Sequence, residues 1–340
     1  MRFATRRAVA VLGIGALGAG LTACSDDGSP PNAAAPPPTV PAPQATTAAA
    51  PAYHPFNGGA KGLDNPVLAV KIENTRPALP QSGVRAADIV YVEQVEGGET
   101  RLMAIYSSTL PRTLGPVRSA RVSDLEILRQ YGRPAFAFSG VNSKFKKEIR
   151  RAPIYEVSQE TGGSAYYRSS ARQIPYNLYA DPRDLLKRAP KADRPRDIGF
   201  RFGPAPEGGR PTRSFTARWP SASMGFIWSA KEKRWLTTHD GRTNTAAEGG
   251  VVGPQTVVVQ YAKTTRSRYK DVNGAYTPVV HTVGSGRAVV LRDGKSYDVR
   301  WSRPSADRGT TYTTADGRPM TFATGQVWIV LVNDGAPKIP

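Results

Sequence analysis

The sequence predicts an α+β protein in two parts: an N-terminal mixed α/β domain, then a mostly-β C-terminal domain built as a sandwich or open barrel. Three observations predict it. Three apolar, strand-like runs lie between Val67 and Ser107, two of them separated by Gly97-Gly98. Capped helical segments are interspersed as far as residue 190. Beyond Arg213 only short strand-like runs follow one another, with Asp-Gly turns between some of them.

Residues 1–23 read as a lipoprotein signal peptide. Arg2, Arg6 and Arg7 form a positive start, Ala8 to Leu21 an apolar stretch too short to span a bilayer, and Leu21-Thr22-Ala23-Cys24 a small-residue cleavage site with cysteine directly after it. That order resembles the bacterial lipobox, which implies that the Cys24 thiol is diacylated; Cys24 is the single cysteine of the chain, so no intrachain disulfide competes for it, and it is the expected lipidation site. Two acyl chains supply the double anchor that stable attachment needs. Thr5-Arg6-Arg7-Ala8-Val9 also partly resembles a twin-arginine export signal, and the export route stays open. Residues 24–56, almost wholly Pro, Ala, Thr, Ser and Gly, have too little apolar side chain to offset the cost of ordering and read as a disordered tether.

The N-terminal domain is expected over 57–190. Val67 to Ile72, Asp88 to Glu96 and Thr100 to Ser107 read as strands, with Gly97-Gly98 as a two-residue hairpin turn because glycine supplies the positive φ that such turns require. That turn would set Gln94 opposite Arg101 and Glu96 opposite Glu99, a like-charge pair needing a cation nearby. Ser123-Asp124-Leu125-Glu126 has the pattern of a capping box and predicts a helix through Tyr131. Pro134 to Ser139 reads as a strand, Asn142 to Arg151 as a helix with a basic surface, and Asp181-Pro182 as the start of a short helix. Residues 191–213, rich in Pro, Gly and Arg, read as a linker. Over 214–334 strands are expected at Gly225–Trp228, Lys233–Leu236, Thr256–Tyr261, Arg287–Leu291, Ser296–Trp301 and Gln326–Val332.

The densest set of unusual residues comprises Glu73-Asn74-Thr75-Arg76-Pro77, Pro80-Gln81-Ser82-Gly83, Ala87-Asp88-Ile89-Val90-Tyr91, Glu96-Gly97-Gly98-Glu99-Thr100-Arg101 and Gly115-Pro116-Val117-Arg118-Ser119-Ala120-Arg121. Asn177-Leu178-Tyr179 closes the first half. Gly284-Ser285-Gly286-Arg287, Asp293-Gly294-Lys295, Trp301 and Thr324-Gly325-Gln326-Val327-Trp328 punctuate the second. In this order and spacing the chain resembles the YerB-like bacterial lipoproteins, a two-domain family of unknown function, from Val67 to Asn333. The resemblance implies an architecture and a place on the cell envelope, but no reaction. The chain departs from the family's pattern at Phe138-Ser139-Gly140-Val141, where a His-Ala-Gly-Gly-like segment belongs, and at Pro175-Tyr176, where Pro-His is usual. A histidine mechanism loses two of its members here.

The candidate ligand-binding residues are Glu73, Asn74, Arg76, Glu93, Glu96, Glu99, Arg101, Arg118 and Arg121, carboxylates and guanidinium forks close together in sequence. Three readings stand open: structural ion pairs that fix the hairpin and helix entry, an arginine clamp on a phosphate or carboxylate, and a carboxylate pair acting as general acid and base on a glycan. No cofactor fingerprint is present and no metal site is expected, since His54, His239 and His281 lack ligand spacing. The formal net charge is +19, and +16 once the three signal-peptide arginines are removed. Nucleic acid is not expected as a partner, because no recognition motif accompanies the scattered basic residues. The expectation is a lipid-anchored protein on the extracytoplasmic face of the cell membrane. It would bind an anionic cell-wall polymer or an envelope protein without catalysis, a wall-glycan hydrolase or transferase being the alternative.

Overall fold

A computed structural model of the chain describes residues 53–271 and 273–335. The signal peptide, Cys24 and the tether up to residue 52 lie outside the described residues. The tether was expected to reach residue 56, yet His54 and Phe56 are fully buried. Phe56 meets Tyr131 edge to face at 5.2 Å and Tyr53 meets Phe202 at 5.9 Å. Tyr53-His54-Pro55-Phe56 breaks the Pro/Ala composition with large apolar rings, and these have a core to enter.

The protein is mostly β, organised on one large mixed sheet. Strands β1 (Leu68–Glu73), β2 (Ile89–Gln94) and β3 (Thr100–Tyr106) lie in the order β2-β3-β1, antiparallel throughout. Beyond β1 the sheet continues in parallel through β4 (Ala135–Ala137) and β5 (Tyr155–Glu156). Such pairing needs crossovers, supplied by helices α1 (Val122–Leu128) and α2 (Lys146–Arg151). On its other edge β2 pairs in parallel with Val327–Asn333, which pairs in parallel with Thr256–Ala262. Gly284–Arg292, Lys295–Arg303 and Thr311–Thr313 then extend the sheet antiparallel, and the two-residue strand Arg210–Pro211, paired with Lys295 and Ser296, brings it to eleven strands among the described residues. The two halves read from the sequence thus share a single sheet.

Both faces of this sheet are covered, which is why β1 reads as a continuous apolar run rather than an alternating one. Leu68, Val70, Ile72, Val90, Val92, Leu102 and Ala104 face a layer that includes Met224, Phe226 and Trp235 of a four-stranded sheet. Ala69, Ile89, Tyr91, Met103 and Ile105 face Ile127 and Leu128 of α1 and Tyr131 just beyond it. Each such large apolar side chain contributes roughly 1.5–3 kcal/mol by leaving water.

Helix α1 starts two residues earlier than the Ser123 pattern suggests. Its N-cap is Arg121, and Asp124, not Glu126, takes the Arg121 backbone N–H at 2.5 Å. Ser123 and Glu126 are spent elsewhere: Ser123 Oγ accepts from Val280 N at 2.9 Å, and Glu126 accepts from Thr282 N at 2.6 Å. The sequence pattern is present, but tertiary partners outcompete the local cap.

Candidate functional site

The β2–β3 hairpin decides the site. Gln94 pairs with Thr100 and Glu93 with Arg101, one residue out of the register that a Gly97-Gly98 two-residue turn would give. Glu96 joins the two glycines in a tight turn, with Gly97 and Gly98 both at positive φ, and Val95 donates to the Glu99 carbonyl. The expected Glu96–Glu99 confrontation therefore does not form. Because side chains alternate, a one-residue shift moves each to the opposite face. Glu93, Arg101 and Glu73 now stand side by side on β2, β3 and β1, on the face beneath α1.

Lys71, one strand pair further along that face, reaches Glu93 Oε1 at 2.9 Å and Asp124 Oδ1 at 2.6 Å. All three side chains are sealed from solvent. Two carboxyls share one ammonium in a dry environment, so burial pushes Glu93 up to about 8, with Asp124 adding to the shift and Lys71 opposing it. Its Oε2 has no partner among the described residues. This triad ties β1 and β2 to the start of α1.

Above the Glu93-Arg101-Glu73 row lies an open cleft of about 660 Å³. Glu73, Glu96, Glu99, Arg101, Arg118 and Arg121 all line it. Arg118 Nε donates to Glu73 Oε2 at 2.5 Å, and Glu73 Oε1 accepts the backbone N–H groups of Asn74 and Thr75. Burial alone would raise the Glu73 carboxyl, but Arg101 and Arg118 overcome it and hold the group below its ordinary range. Arg121 places Nε and Nη2 on Glu96 Oε2 at 2.8 and 2.7 Å, and Thr277 donates its hydroxyl to Glu96 Oε1. Here too the arginine outweighs burial and the carboxylate stays ionised. Arg101 is nearly buried. Nη1 donates to the Ser119 carbonyl, while Nε, 3.6 Å from Glu73, makes no hydrogen bond. Burial, and after it the neighbouring Arg121, pull this guanidinium down to about 10.

Arg118 and Glu99 differ from the rest. Arg118 is the most exposed of the three arginines, 23% against 8% and 14%, and its two terminal nitrogens have no partner among the described residues. The Glu99 side chain makes no hydrogen bond or ion pair there, and burial followed by Asp240 pushes its carboxyl up.

Three of the predicted residues stand apart from the cleft. Asn74 is fully buried, donating to Thr100 Oγ1 at 2.8 Å and accepting from Gln81. Arg76 is exposed and outside the cleft lining. Glu93 belongs to the sealed triad. Sequence reasoning missed the opposite wall, contributed by the hairpin of Thr264–Lys270 and Tyr276–Val280, with Tyr269, Lys270, Asp271, Asn273 and Thr277 at the cleft. That hairpin is anchored by Asn142 Nδ2 on the Lys270 carbonyl at 2.7 Å and by Phe145 against Tyr269 at 5.3 Å. Of the two departures from the family's pattern, Tyr176 lines the cleft and Phe138 is buried against Phe136.

Comparison with known proteins agrees with this architecture. Residues 58–195 match the profile described as "Protein of unknown function (DUF3048) N-terminal domain", and 215–329 match its C-terminal domain counterpart. A Bacillus subtilis (strain 168) protein named "Putative lipoprotein YerB" is 24% identical over 277 residues, covering 78% of this chain and 81% of that protein. The crystal structure of the YerB protein from Bacillus subtilis superposes with a TM-score of 0.71 at 23% identity, over 83% of this chain and 97% of that one, and so shares the fold. With both domains matched in order and a relative aligned over most of its length, the chain belongs to the YerB-like family of two-domain DUF3048 proteins.

Proposed function

We propose that this is a lipid-anchored protein of the extracytoplasmic membrane face that binds, without catalysis, an anionic group of a wall component or envelope partner in the Arg118 cleft. The lipobox-like Cys24 and the name of the Bacillus relative support the anchor. One observation carries the binding reading: Arg118 presents two unpartnered guanidinium nitrogens into an open cleft above the unsatisfied Nε of buried Arg101. A planar fork of this kind matches carboxylate or phosphate oxygens. Acid–base chemistry on a glycan by the acids of the Glu96-Gly97-Gly98-Glu99 segment is the weaker reading, because Arg121 and Thr277 occupy both oxygens of Glu96 and hold it ionised, and Glu99 is left without the second free carboxyl that such a pair requires.

The test pairs two variants of the full-length protein. Arg121→Ala leaves the nearly buried Glu96 without its cation and is expected to cost on the order of 2 kcal/mol in a denaturant melt. Arg118→Ala costs about half as much, since Glu73 keeps Arg101 and two backbone N–H groups. Co-sedimentation with purified cell walls should nevertheless fall sharply for Arg118→Ala, and wild-type binding should weaken with salt. Unchanged sedimentation of a folded Arg118→Ala protein refutes the reading.

A further inference from the structure

We infer that the cleft is bipolar and takes a small zwitterion, its anionic group on Arg118 and a primary ammonium on Glu99. The first half rests on the reading above; the second is independent of it. Although the chain carries a large positive charge, the cleft lining does not. Four acids, Glu73, Glu96, Glu99 and Asp271, face four bases, Arg101, Arg118, Arg121 and Lys270.

Internal pairing removes most of these charges from play. Glu73 is taken by Arg118 and Arg101, and Glu96 by Arg121 and Thr277. Asp271 accepts the backbone N–H groups of Asn273 and Ala275, and Lys270 sits over the Tyr276 ring at 4.6 Å. Three arginines against two paired carboxylates leave one positive charge in surplus, presented at the outer end of Arg118. Glu99 is left as one negative charge. Of the four acids it is the one whose side chain has no hydrogen bond or ion pair among the described residues, and the acids Asp240 and Glu73 act on it together with His239.

A half-buried carboxylate beside two other acids gains from a cation that the fold does not supply. An ammonium suits it better than a metal ion. Among the described residues no three acidic or histidine side chains are placed to hold a metal. Asp240 Oδ1 is already engaged by the N–H and hydroxyl of Ser223. An ammonium needs one carboxylate and neutral acceptors for its remaining protons, and Thr75 Oγ1, on the same lining, is buried without a partner. A bare polyanion, by contrast, would press charge against Glu99. The shared chemistry is an ammonium and an anion on one small molecule, met both in a free peptide unit and in an aminoalkyl phosphate.

Calorimetric titration of the full-length protein in non-ionic detergent separates the possibilities with four probes: alanyl-alanine, N-acetyl-alanyl-alanine, alanyl-alanine amide and O-phosphoethanolamine. Alanyl-alanine is expected to bind roughly tenfold tighter than either of its singly charged forms, as one added charge-assisted contact implies. Glu99→Gln should erase the gap between the dipeptide and its acetylated form without lowering the melt. The ranking of the dipeptide against O-phosphoethanolamine then says which source the site prefers. Equal affinities of alanyl-alanine and its acetylated form in the wild type overturn the bipolar proposal and leave the anion reading standing. If no probe binds, the bipolar proposal is overturned; the anion reading falls with it only when Arg118→Ala also leaves wall sedimentation unchanged.

Discussion

Two clusters of acids and bases occupy neighbouring rows of the same sheet face, and they are built to opposite ends. In the Lys71–Glu93–Asp124 triad every side chain is sealed, and the cluster ties three elements together. In the cleft, residues of the same types surround an opening, and two of them, Arg118 and Glu99, keep bonding capacity in reserve. Composition does not separate these clusters. Cover does: α1 closes over the first and stops short of the second, where the Thr264–Val280 hairpin forms a wall rather than a roof. Ion pairs in a dry interior are a structural commitment, whereas the same pairs beside water leave valence for a guest.

The largest expected effect breaks the sealed cluster. Lys71→Met leaves two buried carboxyls facing each other without a cation and should cost on the order of 3–5 kcal/mol. A urea midpoint that barely moves would mean the triad is wetter than its burial indicates. Wall binding, measured on whatever fraction stays folded, should persist, because no cleft residue is touched.

A smaller effect comes from pH, and the two clusters respond with opposite sign. Glu73 and Glu96 have folded-state values below the ordinary 4.5, so their contribution is present above 4.5 and is lost as pH falls through those lower values. Glu93 is raised to about 8, so its contribution is complete below 4.5 and is lost as pH rises through about 8. Denaturant midpoints across pH should therefore fall on both sides. Glu93→Gln should flatten the neutral-to-alkaline limb and leave the acid limb intact. Flattening of the acid limb instead would assign the two clusters the wrong way round.

The smallest effect is a control on the boundary between them. Arg76 lies in the same sequence motif as Glu73 but is exposed and outside the cleft. Arg76→Ala should stay within about 0.5 kcal/mol of wild type in the melt and sediment with walls as before. A loss of wall binding would extend the site beyond the cleft.

How much of this was legible in the sequence follows the range of the interactions. The three apolar strands of the first half announce themselves, since a strand covered on both faces needs consecutive apolar residues. The cleft arginines and acids were also legible, being local to the hairpin and the Gly115–Arg121 segment. The triad was not, because Lys71 and Asp124 are 53 residues apart and meet only after α1 crosses the sheet. The hairpin register was misjudged for a local reason: Gly97-Gly98 fits a two-residue turn, and nothing in sequence says that Glu96 will join it to meet Arg121. The far wall was missed because Thr264–Lys270, with charges at Arg266, Arg268 and Lys270, shows no apolar face to read.

The strand order carries a consequence for how the chain is made. Val327–Asn333, the last strand among the described residues, lies in the interior of the sheet, paired on one side with β2 and on the other with Thr256–Ala262. Until that segment has been synthesised, β2 has an open edge and the two portions of the sheet have no backbone seam between them. The nascent polypeptide is thus kept from early closure by its own topology, because its longest-range pairing must wait for its final strand. A copy cut short before Val327 would expose an unpaired edge instead of leaving a smaller working half.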